Sequence, residues 1–309
     1  MDRIDAMATL LAAVDSGSLS GASRALGMPL ATVSRKVSDL EAHLGTQLLI
    51  RSSRRLTLTE AGQAYAAAAR RLLEDLDEAE RAASGEYRAP RGHLHITAPI
   101  MFGRLHVAPV VLDFLSAYPD ITVRLTLADQ MLNLVDDHVD LAVRVGQLPD
   151  SRLVALRLGQ IRWVACASPG YLSARGEPYT PDALAGHDCV VFEGLYATHT
   201  WTFGRRGQGR AVPIRPRFSV NSADAAIAAA LQGAGVTRVL SYQVAAPVAQ
   251  GALRVILRAF EPEPLPVHLL HVGQSPPPQK LRAFLDFAGP RLKASLALAA
   301  PSEGPATAT

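Results

Sequence analysis

The chain has 309 residues, 49% of them hydrophobic and 19% charged, with a formal net charge of +3. That composition excludes a mainly disordered chain, two cysteines exclude a disulfide scaffold, and no run of roughly eighteen apolar residues marks a membrane span. The length exceeds one ordinary core and predicts two domains. Cys166 and Cys189 lack Cys-x-x-Cys spacing and read as buried or free thiols in a reducing compartment.

In chain order, Asp2, Arg3 and Asp5 precede a short apolar stretch broken by Asp15. That is an amphipathic helix rather than a signal peptide, so the expected location is the cytoplasm. Met7, Leu10, Leu11 and Val14 recur at helical spacing, and Gly17 stops them. Leu19, Ala22, Ala25 and Leu26 form a second short helix, capped by Ser18 or Ser20 and ended by Gly27. Val33, Val37, Leu40 and Leu44 make a third stripe, closed by Gly45. The turn Gly27-Met28-Pro29 gives helix-turn-helix spacing. The face opposite the third stripe carries Thr32, Ser34, Arg35, Lys36 and Ser38. Hydroxyls and long cations of this kind meet base edges or phosphates, although any exposed helix face is polar. Leu48-Leu49-Ile50 and Leu56-Thr57-Leu58 then read as a hairpin around the basic run Arg51-Ser52-Ser53-Arg54-Arg55. The run is either a phosphate-contacting wing or a solvated loop.

Residues 1–62 resemble the winged helix-turn-helix of LysR-type transcriptional regulators. The resemblance is carried, without gaps, by Ser18, Ala22-Ser23-Arg24-Ala25-Leu26, Thr32-Val33-Ser34-Arg35, Leu40-Glu41, Leu44-Gly45, Leu48, Arg51 and Arg55-Leu56-Thr57-Leu58-Thr59-Glu60-Ala61-Gly62. It implies binding to double-stranded DNA, with Ser18, Thr32, Ser34, Arg35, Lys36, Arg51, Arg54 and Arg55 as contact residues. Leu49 stands where that family often has Phe, and Leu30-Ala31 where it often has Gln-Pro. Base reading is therefore expected to shift to Thr32 and Arg35.

A helix is predicted from Thr59 to Tyr87, capped by a Thr57–Glu60 box or by Thr59. Its stripe runs through Leu58, Ala61, Tyr65, Ala68, Leu72, Leu76, Ala79 and Ala83, and acidic residues Glu74, Asp75, Asp77, Glu78 and Glu80 crowd its second half. A helix about 45 Å long cannot bury such a stripe on a small domain, so self-pairing is expected, with packing along its own chain as the other solution. The resemblance implies a dimer here and pairing of dimers into tetramers. Tyr87 to Gly92 reads as a linker.

From His93 the signals alternate. Strands are predicted at His93–Ala98, Ile121–Leu127, Asp140–Val145, Ile161–Ser168, Cys189–Phe192, Trp201–Phe203, Ile214–Val220, Val236–Leu240 and Pro266–Val272. Helices are predicted at Phe102–Tyr118, Met131–Asp137, Ser222–Gln232 and Gln279–Leu298. This order predicts a mainly parallel sheet covered by helices. The stretch also resembles the effector domain of the same family, on Tyr118-Pro119, Asp140-Leu141-Ala142-Val143-Arg144, Ala167-Ser168-Pro169, Asn221 and Gly233-Ala234-Gly235-Val236. The resemblance implies a periplasmic-binding-protein fold with a cleft. The expected architecture is thus an α/β chain: a winged helix-turn-helix over 1–58, a linker and dimerisation helix over 59–91, and an effector domain over 92–298. Its two subdomains would be 92–162 with 267–295, and 163–266, joined by two crossovers; residues 299–309 read as a disordered tail.

No catalytic constellation emerges. Leu19 stands where a nucleophile elbow needs Ser, no phosphate loop exists, and Gly233-Ala234-Gly235 lacks a third glycine. His93 and His95 share a strand face without a third ligand, and His268 and His271 point to opposite faces. Neither a metal nor a cofactor is expected. Cleft candidates are Pro99, Ile100, Met101, Phe102, Thr126, Asp129, Phe192, Asn221 and Ser222. Helix starts at Ile100 and Ser222 suit a carboxylate, or Asn221 and Ser222 only cap their helix. Pro99 replaces the hydroxyl common in the family, so Met101, Phe102 and Phe192 are expected to favour an aromatic or bulky small molecule. Asp129 is expected to select a cation or hydroxyl. The other class of function is a stand-alone solute-binding protein with no DNA role.

Overall fold

Three left-handed glycines and two hydroxyl caps punctuate the first sixty residues, in a computed structural model that describes residues 2–51, 56–83, 89–130, 134, 137, 139–148, 153–193, 199–204, 209–273 and 277–298. Arg54 and Arg55, the body of the helix expected over 131–137, the end of the one expected to reach Tyr87, and the tail 299–309 lie outside the described residues. The chain divides into two compact units, the first ending at Arg88 and the second beginning at Ala89.

In the first unit, α1 (Arg3–Asp15) starts at Asp2, whose carboxylate accepts from the Ile4 and Asp5 N–H groups. Helix α2 (Leu19–Leu26) starts at Ser18, whose Oγ accepts from Gly21 N–H at 2.9 Å, and stops at Gly27 with φ 62°. Helix α3 (Leu30–Leu44) follows Pro29 and stops at Gly45 with φ 65°. Both stops use a backbone conformation that only glycine adopts without cost. Ala6, Leu10, Val37, Leu40, Leu48 and Leu49 then form the core between α1, α3 and the hairpin. Each buried leucine there stabilises the unit by about 1.5–3 kcal/mol. The hairpin pairs β1 (Leu49–Arg51) with β2 (Leu56–Leu58), antiparallel, Ile50 opposite Thr57. Glu41 holds it on α3 by accepting from the Leu48 and Leu49 N–H groups at 2.8 and 3.0 Å.

Helix α4 (Glu60–Ala83) is capped by Thr59, not by Thr57: Gly62 N–H donates to Thr59 Oγ1 at 2.9 Å. Gly62 lies so close to β1 that a Cβ there would sit 2.0 Å from the Leu48 carbonyl oxygen. The predicted single stripe is divided. Leu58, Tyr65, Ala66, Ala69 and Leu73 pack on Met7 and Leu11 of α1, while Ala61 and Leu72 stay exposed. The expected self-pairing seam therefore loses Leu58 and Tyr65, because α1 crosses the first half of α4 and takes the nearest apolar face.

In the second unit, β3 (Gly92–Ala98) leads into α5 (Ile100–Phe102), a π turn over Gly103–Val107 and α6 (Ala108–Ala117), one continuous helix that begins earlier than predicted. It is long and apolar enough to cross a membrane, but Met101, Phe102, Val107, Val110, Val111 and Phe114 are buried in the core. Next come β4 (Ile121–Leu127), β5 (Leu141–Val145), β6 (Leu153–Ile161) and β7 (Trp163–Ala167). Residues 161–168 do not make one strand: Ile161 ends β6, Arg162 alone connects, and β7 belongs to another sheet. Strand β6 escaped prediction because it is an edge strand carrying Arg157, Gly159 and Gln160 on a half-exposed surface. Then follow α7 (Pro169–Arg175), β8 (Asp188–Phe192), the hairpin β9 (Thr200–Phe203) with β10 (Arg210–Pro213), β11 (Arg215–Val220), α8 (Ala223–Leu231) and β12 (Val236–Leu240). The chain ends with α9 (Ala245–Ala249), β13 (Arg254–Ile256), β14 (Leu265–Val272) and α10 (Gln279–Leu298).

Two five-stranded sheets result, β4-β3-β5-β14-β6 and β11-β8-β12-β7-β13. They are mixed rather than mainly parallel: in each, two pairings are parallel and two antiparallel. The returning β14 enters the first sheet against the direction of β5, and β7 enters the second against β12. Leu94, Ile96 and Leu269 of one sheet and Val164, Cys166 and Val239 of the other contribute to the same apolar cluster, with α6, α8 and α10.

Candidate nucleic-acid interface and ligand cleft

The core face of α3 is set by Val33, Val37 and Leu40, which leaves Arg35 exposed and Thr32 half-buried at its N-terminal end. Ser34 is half-buried beside them. Lys36 does not join this face. Its Nζ lies 2.5 Å from Asp5 Oδ2 and 3.2 Å from Met28 Sδ, so it ties α3 to α1 and to the preceding turn. The reason is angular: residue 36 sits 100° beyond residue 35 on the helix, toward the buried stripe. Ser18 accepts the Gly21 N–H of the α2 cap on one lone pair, which leaves its hydroxyl proton for another acceptor. Of Arg51, the backbone pairs with Leu56 at the end of the hairpin; residues 52–55 of the basic run lie outside the described residues.

In the second unit the candidate cleft residues gather at the carboxyl ends of parallel strands, where α/β sheets open a crevice. Pro99 follows β3, Thr126 is the last residue but one of β4 with Asp129 just beyond the strand, Phe192 ends β8, and Asn221 follows β11. The structure alters the role of several. Asp129 Oδ1 accepts from Ile100 N–H at 3.0 Å. Pro99 offers no side-chain cap, so this carboxylate takes the helix start that was expected to receive a ligand carboxylate. Phe102 is wholly buried and Met101 nearly so; both are core rather than a free cleft wall. Phe192 is half-buried against the same cluster. Thr126 Oγ1 is hydrogen-bonded to His95 Nε2 at 2.9 Å. Ser222 caps α8, accepting from Ala225 N–H at 3.4 Å, and Asn221 and Ser222 are both exposed.

Sequence reasoning missed the contacts that join the two sheets. Arg104, on the π turn, donates to Asp224 Oδ1 in the first turn of α8 at 2.6 Å. Beneath it, the Phe102 ring lies 4.8 Å from His106 and 5.4 Å, edge-on, from Tyr242. His106 is 7% exposed, its Nδ1 lies 2.7 Å from Ser295 Oγ, its Nε2 has no partner, and burial pushes its pKa down. At the crossovers, Arg162 pairs with Glu261 at 3.2 Å, and burial raises the Glu261 carboxyl. No periodicity marks such pairs; only an acidic residue in the first turn of a predicted helix, Asp224, carried a signal.

Cys166 and Cys189 are both fully buried on opposite faces of the second sheet, since each belongs to a different apolar cluster. Burial pushes their thiols up to about 12 and about 11. Among the described residues, no group of three or more His, Cys, Asp or Glu side chains is placed to hold a metal ion.

Comparison with known proteins places this arrangement. Residues 4–63 match the model of the bacterial regulatory helix-turn-helix protein, lysR family, and residues 88–293 match the LysR substrate binding domain. An HTH-type transcriptional regulator of Xanthomonas campestris is 36% identical over 90% of this chain and 82% of its own. The solved LysR-type transcriptional regulator CrgA of Neisseria meningitidis is 32% identical, covering 93% of this chain and 98% of its own, with a TM-score of 0.60. The full-length Vibrio cholerae virulence activator AphB is 29% identical at the same coverage, with a TM-score of 0.58.

Proposed function

Because this chain belongs to the LysR family of transcriptional regulators, with its helix-turn-helix and substrate-binding domains, we propose that it reads one DNA sequence as a homodimer under control of a small organic effector. The observation that carries the reading is the pairing of an exposed Arg35, on a helix fixed by its own core, with a cleft rim at the strand ends of the second unit. Thr32 and Arg35 read base edges, Ser18 and Ser34 support them, and Arg51, Arg54 and Arg55 hold phosphate or minor groove. Lys36 contributes by fixing α3 rather than by touching DNA.

The effector-binding unit works as two subdomains, 92–162 with 267–295 and 163–266, and the effector sits between them. Thr126, Asn221 and Ser222 offer polar contacts, and Phe192 an apolar one. A carboxylate effector reaches Arg104 by displacing Asp224, so binding and the tie between subdomains compete directly. The ligand shifts the equilibrium only by its difference in affinity for the two arrangements. The protein acts in the cytoplasm, where its DNA is. A stand-alone solute-binding role is disfavoured by the match of residues 4–63 to a DNA-binding module.

The test is a gel shift with the DNA upstream of the protein's own gene, joined to a thermal-shift screen of carboxylic and aromatic metabolites. Specific retardation, a stabilising compound and loss of that response in Asn221→Ala with intact basal DNA binding are expected. No specific retardation overturns the DNA reading. No stabilising compound, with Asn221→Ala regulating normally in cells, overturns the effector reading.

A further inference from the structure

At the end of the second sheet remote from the cleft, an open cavity of about 700 Å³ lies between the start of α7, the end of α8 and the start of β8. Its floor holds Asp188, whose carboxylate is 11% exposed and receives Arg217 at 2.9 Å and Arg175 at 3.7 Å. Arg215 adds a third nearby guanidinium field. One carboxylate therefore faces three cations. Arg217 and Arg175 are 71% and 49% exposed, and each keeps donors beyond those it gives Asp188. Pro169, Ala174 and Leu231, the last 40% exposed, give the rest of the lining an apolar strip beside the polar Ser168, Tyr171 and Gln232. Two planar cations that share a single carboxylate, beside an uncovered aliphatic strip, match one ligand chemistry, a second carboxylate on a small apolar body.

We propose that this cavity is a second ligand site, in which Arg217 and Arg175 hold the carboxylate of a small amphipathic acid whose apolar part covers Leu231 and Pro169. The site is separate from the cleft and does not rest on the cleft reading. It is connected to it, however. Leu231 ends α8, and Asp224 in the first turn of the same helix pairs with Arg104. A ligand in the cavity touches the far end of the helix that ties the two sheets together.

The test is calorimetric titration of the full chain with benzoate, with benzamide as the uncharged probe and inorganic phosphate as the bare anion. Benzoate is expected to bind one event per chain that benzamide and phosphate match only about tenfold more weakly or worse, the scale of a lost charge-assisted contact. Arg217→Ala is expected to weaken that event by about tenfold or more. Gly170→Phe is expected to abolish it by filling the space, since a Cβ at Gly170 meets nothing within 4 Å. Unchanged melting temperatures show that both variants fold. Asn221→Ala is expected to leave the event intact. Wild-type affinity in either cavity variant, phosphate binding as tightly as benzoate, or no benzoate binding at all overturns the proposal. Loss in Asn221→Ala with binding intact in Gly170→Phe places benzoate in the cleft, overturning this site and supporting the other.

Discussion

Arg35 and Lys36 are neighbours in sequence with different surroundings, and substitution separates them. Arg35 is exposed, so Arg35→Ala should leave stability unchanged and cost about 1–3 kcal/mol on the cognate site, with little loss on random DNA. Lys36 anchors α3 to Asp5, so Lys36→Ala should weaken both equally if it weakens binding at all. Gel shifts on cognate and random duplexes check both; equal losses for Arg35→Ala would remove its base-reading role. The buried thiols make a second prediction. Unfolded cysteine ionises near 9.0, and burial raises Cys166 to about 12. A folded pKa raised above the unfolded one means the folded state keeps its proton longer. The stabilisation is complete below pH 9 and is lost as pH climbs toward 12. Native protein should resist a thiol reagent at pH 8, its melting temperature should fall above pH 9, and Cys166→Ala should flatten that fall.

Helix α4 shows how one element serves two partners. Its Tyr65, Ala66, Ala69 and Leu73 face α1, and its Ala61 and Leu72 face outward. Small residues on the outward face allow close approach of a second helix. Leu72→Glu should therefore give a folded monomer with the wild-type melting temperature, seen by light scattering at micromolar concentration, and should abolish specific DNA binding. Ala69→Glu, by contrast, buries an unpaired charge against α1 and should unfold the unit, a loss of several kcal/mol. A monomeric wild type would end the seam argument. Gly62 belongs to this scale as well. It stood in the sequence as one letter of a motif, and the structure gives its cause: the α4 backbone passes the Leu48 carbonyl with no room for a Cβ.

For the molecule as a whole, the Arg104–Asp224 pair is the testable joint. Both side chains are about half exposed, so the pair contributes little to global stability, roughly 0.2–1 kcal/mol. Its consequence is geometric, because it ties the turn that follows β3 to the start of α8 and so spans the two sheets. Arg104→Ala should leave the melting temperature almost unchanged while increasing hydrogen exchange in β3, α8 and the crossovers at Arg162 and Glu261. Unaltered exchange there would show that the apolar cluster alone holds the sheets together. That cluster, which includes the buried Phe102 and Tyr242 with His106 packed on both, is the larger force.

Local physics was legible in the sequence. Helix periodicity, glycine stops and hydroxyl caps act within a few residues, so α1 to α3, a serine cap for α2 and the two strands of the hairpin could be read directly, while the structure chose Ser18 over Ser20 as that cap. The family motif over residues 1–62 was legible for the same reason, since its letters are consecutive. What spans distant segments was not. Lys36 turned to Asp5, Asp129 to the Ile100 N–H, and Arg104 to Asp224, and each choice depends on where another element lies. The division of the α4 stripe required α1 to be in place. The mixed sheets depended on β14 and β7 entering against their neighbours, and edge strand β6 carried no clean alternation because Arg157, Gly159 and Gln160 interrupt its apolar residues on a half-exposed surface. Periodicity reports which face of an element is apolar; only the packed structure decides which neighbour covers that face and which charge finds which partner.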